Sequence, residues 1–134
     1  MINKIESVQR FFTKRLNGLQ SISHDDRLAM LGSERLELRR LRFDLLICYK
    51  IIYNHVSINR DCFFFTFATY PSTRGHSLKL ALPDSRINAR LHSFAVRIIP
   101  AWNSLPNDVV TAANIYLFKN RLSKTNLAYA LRGK

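Results

Sequence analysis

The sequence is poor in the residues that mark secreted, metal-binding and disordered proteins. It has 134 residues and two cysteines, Cys48 and Cys62, which make neither a disulfide framework nor a zinc ribbon. Four Gly and four Pro, against 47% apolar residues, argue against a low-complexity chain and favour a single domain over residues 1–134. No apolar run reaches the roughly eighteen residues of a membrane span. We therefore expect no membrane partner and an intracellular location, in the nucleus or the cytoplasm.

Acidic residues are scarce relative to basic ones. Nine Asp and Glu stand against 21 Lys and Arg, which gives a net charge of +12 and a pI near 10.4. No acidic residue follows Asp108. A field of this sign favours a polyanionic partner, and the excess of Arg over Lys suits bidentate contacts with phosphate. RNA or DNA is the partner that we expect, with an acidic neighbouring protein as the alternative.

Groupings of residues typical of an active site are missing. The four histidines have no metal-ligand spacing, and there is no Gly-rich phosphate loop. The only adjacent acids, Asp25 and Asp26, follow Ser23, where they suit the first turn of a helix. We therefore expect no cofactor and no enzymatic activity from this chain alone.

The spacing of apolar residues predicts a mainly α-helical fold, a small helical domain. The first helix should end near Gly18, Ser23 should cap a short second helix, and Ser33 should cap the longest helix. The longest helix is apolar on two sides, which is typical of a helix that is central in its domain or leans on a partner. The predicted stripes are Ile2, Ile5, Val8, Phe12 and Leu16 in the first helix, Leu38, Leu41, Leu45, Cys48, Tyr49, Ile52 and Val56 in the longest, and Leu36, Phe43, Ile47 and Ile51 on its second side.

The second half of the chain predicts a short β-hairpin insertion followed by two helices. Residues 77–82 alternate polar and apolar side chains, and a second short strand is expected at 86–89. Apolar spacing from Leu91 to Trp102 predicts a helix that Pro100 should end or kink. The last helix should begin near Asn114, with Ile115, Phe118 and Leu122 inward and Lys119 and Arg121 outward.

Three segments allow both a binding and a packing interpretation. The aromatic run at 62–70 would stack bases or fill the core, and we favour the core. Arg74–Ser77 would hold a phosphate with its backbone and cations, or form a tight turn into a strand. Trp102 would stack a base or pack internally, and its place at the end of an apolar stripe favours packing.

Several short motifs follow one another along nearly the whole chain. They are Ile5–Phe12, Arg27–Gly32 followed by Leu36–Arg42, Arg74–His76, Trp102–Pro106 and Phe118–Leu122. In this order, the motifs resemble the extreme C-terminal region of reverse transcriptase polyproteins from non-LTR (LINE-like, jockey-like) retrotransposons. The resemblance implies a post-polymerase, thumb-adjacent region of an RNA-directed DNA polymerase. The endonuclease and the aspartate pair of the polymerase palm are absent, so no catalytic residue of that family carries over.

Six basic residues are our candidates for contacts with template RNA or target DNA. Arg40 is left out because Asp44, four residues on, should neutralise it. For the arginine cluster on the longest helix, a solvent-exposed face that contacts no phosphate is an alternative of equal weight. Alternative functions are a docking module that packs on the missing upstream polymerase domain, or a decayed copy without activity. The candidates are Arg35, Arg39 and Arg42, which share a helix face, and Arg74, Lys119 and Arg121.

Overall fold

The protein is described by a computed structural model over residues 2–60, 66–69, 74–82 and 94–131, and this part is mainly α-helical, as predicted. None of the helices in these ranges is long and apolar enough to cross a membrane. They are α1 (Ile2–Lys14), α2 (His24–Met30), α3 (Leu36–Ile52), α4 (Phe94–Asn103), α5 (Asn107–Val110) and α6 (Ile115–Lys124), followed by a short 3-10 helix (Ala128–Ala130).

The chain divides into two compact units. The single domain that the sequence suggests over residues 1–134 stays a prediction. The terminal unit comprises Met1–Leu41 with Leu131–Lys134, and the central unit comprises Arg42–Ala130. Helix α3 contributes to both, because its residues up to Leu41 belong to the terminal unit and the rest to the central unit.

In the terminal unit, α1 turns its polar side inward. Glu6 and Thr13 are buried, whereas Ile5, Val8 and Phe12 of the predicted apolar stripe are 45%, 66% and 64% exposed. The reason lies in the buried guanidinium of Arg27 on α2, whose Nε donates to Thr13 Oγ1 at 3.2 Å. A buried guanidinium must find hydrogen-bond acceptors, so it takes the polar side of α1 as its neighbour.

The N-terminus of α3 is capped from a distance. The helix begins at Leu36, so the prediction that Ser33 caps it is wrong. Instead, Glu6 Oε1 accepts from the backbone N–H of Glu37 at 2.9 Å, and a carboxylate is favourable at the positive end of a helix. The cap predicted for α2 is confirmed, since Ser23 Oγ accepts from the N–H of Asp26.

The central unit is built around aromatic and aliphatic side chains. Within this unit, the buried stripe predicted for α3 is confirmed from Leu45 to Ile52, and Trp102 of α4 and Phe118 of α6 are fully buried. Tyr49 stacks on Phe118 with ring centroids 4.4 Å apart, and Trp102 lies 6.1 Å from the same ring. The second predicted stripe of α3 is only partly buried, because Phe43 and Ile47 are 57% and 44% exposed.

Helix α4 does not end at Pro100 but continues to Asn103. A proline inside a helix removes one backbone hydrogen bond and normally costs several kcal/mol. Here the residues just after it are anchored by tertiary contacts, since Ala101 and Trp102 are buried. Ser104 Oγ also donates to the Pro100 carbonyl at 2.9 Å. Packing therefore overrides the local signal that Pro100 gives.

The predicted β-hairpin insertion is not supported. The described residues hold one isolated antiparallel bridge, between Phe67 and Leu80, and no strand. Its two hydrogen bonds run from Ala68 N to the Lys79 carbonyl at 2.9 Å and from Ala81 N to the Thr66 carbonyl at 2.8 Å. The second predicted strand, at 86–89, and most of the aromatic run at 62–70 lie outside the described residues.

Candidate nucleic-acid interface

Two side chains at the end of α4 bind the extended segment at 78–80, and we call them the Trp-Asn clamp. The indole Nε1 of Trp102 donates to the Leu78 carbonyl at 2.9 Å. The amide of Asn103 bonds to Leu80 twice: Oδ1 accepts from its N–H and Nδ2 donates to its carbonyl, both at 2.8 Å. Asn103 thus offers Leu80 the donor and acceptor that a neighbouring strand would offer.

The clamp occupies the edge of this segment on which a second strand would pair. In an extended chain, the backbone groups of successive residues point to opposite edges. Lys79 and Ala81 point to one edge, where residues 66–68 pair with them, and Leu80 points to the other. The side chain of Asn103 already occupies Leu80 on that second edge. The Leu80 N–H and carbonyl are therefore not available for hydrogen bonds to a second strand.

His76 belongs to the same internal arrangement. It is buried, and its Nε2 lies 3.0 Å from the carbonyl of Trp102, so Nε2 must carry the hydrogen. Burial lowers the pKa of His76 below its ordinary value, although the hydrogen bond to Trp102 opposes the shift. Gly75 before it has a φ of +95°, a conformation that favours glycine. This geometry favours the tight-turn interpretation of Arg74–Ser77 over a phosphate cradle.

The six candidate basic residues fall into different units. Arg35 and Arg39 belong to the terminal unit, and the other four belong to the central unit. Arg35 donates to both carboxylate oxygens of Asp25 at 2.9 Å, so its charge is largely matched. Arg39 is exposed on α3. The predicted face of Arg35, Arg39 and Arg42 therefore spans the division between the units and contains one residue that is already paired.

In the central unit, Lys119 is exposed on α6, while its neighbour Arg121 donates to the backbone carbonyl of Asp108. Arg74 is exposed and Arg42 is half-buried, and both have interactions within the chain. The partner predicted for Arg40 is engaged elsewhere, because Asp44 lies 2.7 Å from Arg97.

Helix α6 presents a polar outer face that the candidate list missed in part. Its N-terminus is fixed by Asn114, whose Oδ1 accepts from the N–H of Leu117 at 2.8 Å. Phe118 and Leu122 point into the core, so residues on the opposite side are exposed. The signal was present in the sequence, since the spacing from Phe118 places them outward. These residues are Tyr116, Lys119, Asn120, Ser123 and Lys124.

The part of the chain that the structure describes indicates neither a metal centre nor a reactive thiol. Within the described ranges, no three His, Cys, Asp or Glu residues are grouped so as to hold a metal ion. Cys48 is buried, and burial raises the pKa of its thiol far above the ordinary value, which makes it an apolar core residue.

Comparison with protein-family models, curated proteins and solved structures gives no match to the chain.

Proposed function

We propose that this chain is the C-terminal region of a non-LTR retrotransposon reverse transcriptase polyprotein and binds the backbone of RNA or DNA without catalytic activity of its own. The observation that carries the proposal is unneutralised positive charge. Residues 42–130 contain eleven Lys and Arg against four Asp and Glu, and one of those acids, Asp44, is held by Arg97. Such an excess favours a phosphate backbone as partner.

Core packing supports the proposal by holding one basic helix in place. Phe118 and Leu122 of the Phe118–Leu122 motif anchor α6 in the core, and Lys119 between them points to solvent. A cation on a helix fixed by packing loses less conformational freedom on binding than one on a loop. The Phe118–Leu122 motif thus fixes the helix that carries the exposed charge of Lys119.

The contacts within the chain rank the candidate residues. Arg39 and Lys119 are exposed and should contribute most. Arg35 should contribute least, because Asp25 already receives two of its N–H groups. Arg121, Arg74 and Arg42 are intermediate, since each has an interaction within the chain.

Fluorescence anisotropy of the purified chain across a salt series, with single-stranded RNA, single-stranded DNA and duplex DNA, tests the proposal. Binding should weaken steeply with salt. Lys119→Ala should reduce the slope of log K against log salt by about 0.7 for single strands and about 0.9 for duplex. This is the change expected when one phosphate contact is lost. Arg35→Ala removes the same charge from a paired position and is the matched control. Absence of binding by the folded chain would refute the proposal.

A second candidate function is docking onto the missing upstream polymerase domain, and the surface of α1 favours it. Ile5, Val8, Phe11 and Phe12 are 45–66% exposed on one helix of the terminal unit. Contiguous apolar side chains at the surface mark interaction sites more often than isolated ones do. Phe11 is partly covered by Arg15, whose guanidinium carbon lies 3.9 Å from the ring centroid.

Light scattering distinguishes the two candidate functions. A docking module should self-associate when isolated and become monomeric when Val8→Ser and Phe12→Ser remove the apolar surface. A nucleic-acid-binding module should be monomeric from the start, and the same substitutions should leave its affinity for RNA unchanged.

A further inference from the structure

The outer face of α6 carries an exposed aromatic ring among cations and amides. Tyr116 is 78% exposed, the highest value among the large apolar side chains that the structure describes. Lys119, Asn120 and Ser123 follow it at i+3, i+4 and i+7, so they lie on the same side of the helix. This side is opposite Phe118 and Leu122, and it therefore has no role in the core.

No acidic residue of α6 itself interrupts this face. Helix α6 contains no Asp or Glu, and no acidic residue follows Asp108 in the sequence. Arg121 on the flank donates to the backbone carbonyl of Asp108 and not to a carboxylate. Among the described residues, no ring or cation packs on Tyr116 in the way that Arg15 covers Phe11 or Arg60 lies near Phe67. Its ring is therefore open to a ligand.

From this placement we infer that the outer face of α6 binds single-stranded nucleic acid, with a base stacked on Tyr116 and the adjoining phosphate at Lys119. Stacking on a protein ring requires a base whose face is open, and bases in a duplex already stack on one another. Side chains three or four residues apart on a helix have their Cβ atoms about 5–6 Å apart, which brings ring and ammonium within reach of one nucleotide. Ser123 Oγ donates to the Asn120 carbonyl at 2.7 Å. Asn120, four residues after Tyr116, offers its side-chain amide to the same nucleotide in the inferred complex.

This inference rests on the proposed function and narrows it. Attraction between cations and the phosphate backbone distinguishes single strands from duplex only through their different charge densities. A stacking platform adds affinity for single strands only, and it is tolerant of sequence because every base has a π face. The chain should therefore prefer single-stranded RNA or DNA over duplex at salt concentrations that weaken the electrostatic contribution.

A matched pair of substitutions at Tyr116 tests the inference. Tyr116→Phe keeps the ring, and Tyr116→Leu keeps apolar bulk in a good helix former but removes the π face. Anisotropy with short unstructured single strands should give unchanged affinity for Tyr116→Phe and a loss of about 5- to 100-fold for Tyr116→Leu. Affinity for duplex DNA should be unchanged in both variants, and far-UV circular dichroism should match the parent chain.

Equal single-strand affinities for the Phe and Leu variants, or equal losses on single strand and duplex, would overturn the stacking inference. The proposed function would survive those results if Lys119→Ala still lowered affinity and salt slope. Absence of binding by the folded parent chain would instead refute the proposed function itself, and this inference with it.

Discussion

The two units of this chain differ in the polarity of the side chains that they bury. The central unit buries rings and aliphatic side chains, among them Trp102, Tyr49 and Phe118. The terminal unit buries Glu6, Thr13 and Arg27 beside Leu19, Leu28 and Leu41, and leaves Ile5, Val8 and Phe12 of α1 exposed. Buried polar groups are tolerated only when they find partners, whereas apolar groups need only close packing. We therefore expect the stability of the central unit to depend mainly on close packing, and that of the terminal unit to depend more strongly on a few buried hydrogen bonds.

The contrast also separates stability from binding. In the central unit, the Trp102–Pro106 motif is internal: its indole, amide and leucine side chain meet other parts of the unit. The candidate contacts with nucleic acid are on the outer face of α6 and on exposed arginines. Substitutions in the Trp102–Pro106 motif should therefore lower stability. Substitutions on the outer face of α6 and at the exposed arginines should instead lower the affinity for nucleic acid.

The largest expected effect is that of Trp102→Ala. The substitution opens a cavity in the core and leaves the Leu78 carbonyl without its indole donor. Phe or Trp to Ala in a core costs about 3–5 kcal/mol, so the central unit should lose stability of that size. Far-UV circular dichroism in urea measures the loss. Phe43→Ala, at a position 57% exposed, is the control and should stay within about 1 kcal/mol of the parent.

The next effect is that of Asn103→Ala, which keeps the core intact but leaves both Leu80 backbone groups unpaired. An unsatisfied buried polar group costs about 1–3 kcal/mol, so we expect a loss near 2 kcal/mol. Hydrogen exchange at the Leu80 amide should quicken. Asn103→Asp keeps the acceptor but not the donor, and it should protect that amide better than Asn103→Ala does.

Two neighbouring residues test the inverted arrangement of α1. Thr13→Val removes the Oγ1 that accepts from Arg27, and it should destabilise the terminal unit by about 1–2 kcal/mol although it adds apolar surface. Phe12→Ser, at a position 64% exposed, should change its stability by less than about 0.5 kcal/mol. Hydrogen exchange of the α2 amides measures both. A larger loss for Phe12→Ser than for Thr13→Val would show that the apolar side of α1 is the buried one.

The smallest expected effect is a pH dependence from one histidine in each unit. Burial lowers the pKa of His76 and, with help from Arg10 and Arg27, that of His24. Below the ordinary value of 6.5 the unfolded chain binds more protons than the folded one, so stability should fall as pH drops below 6.5. Urea midpoints across this range measure the fall. His76→Gln should flatten the profile of the central unit, and an unchanged profile would exclude His76 as its source.

Sequence patterns predicted the helices better than their surroundings. The stripe of α3 and the inward Phe118 and Leu122 follow from helical spacing, because a long periodic pattern leaves little choice of face. The same spacing on α1 did not reveal which side is inward, since that depends on Arg27 of another helix. The cap of α3 by Glu6 and the binding of Leu80 by Asn103 are likewise long-range contacts, which no local pattern encodes.

The candidate site shows the same division. Spacing placed Arg35, Arg39 and Arg42 on one side of a helix, but it could not show that Asp25 pairs with Arg35. Helical spacing predicts an outward Lys119, and the structure confirms it. The exposure of Tyr116 is not predicted, because an aromatic residue is usually assigned to the core.

The most direct test of the account is a titration of the isotope-labelled chain with single-stranded RNA, followed by NMR of its backbone amides and its single indole N–H. We predict shifts at Tyr116, Lys119 and Asn120, with the Trp102 indole and the Leu80 amide unchanged, because the Trp-Asn clamp is internal. A shift or broadening of the Trp102 indole at the first additions of RNA, with the α6 amides unmoved, would contradict the account and make the Trp102–Pro106 motif the binding site.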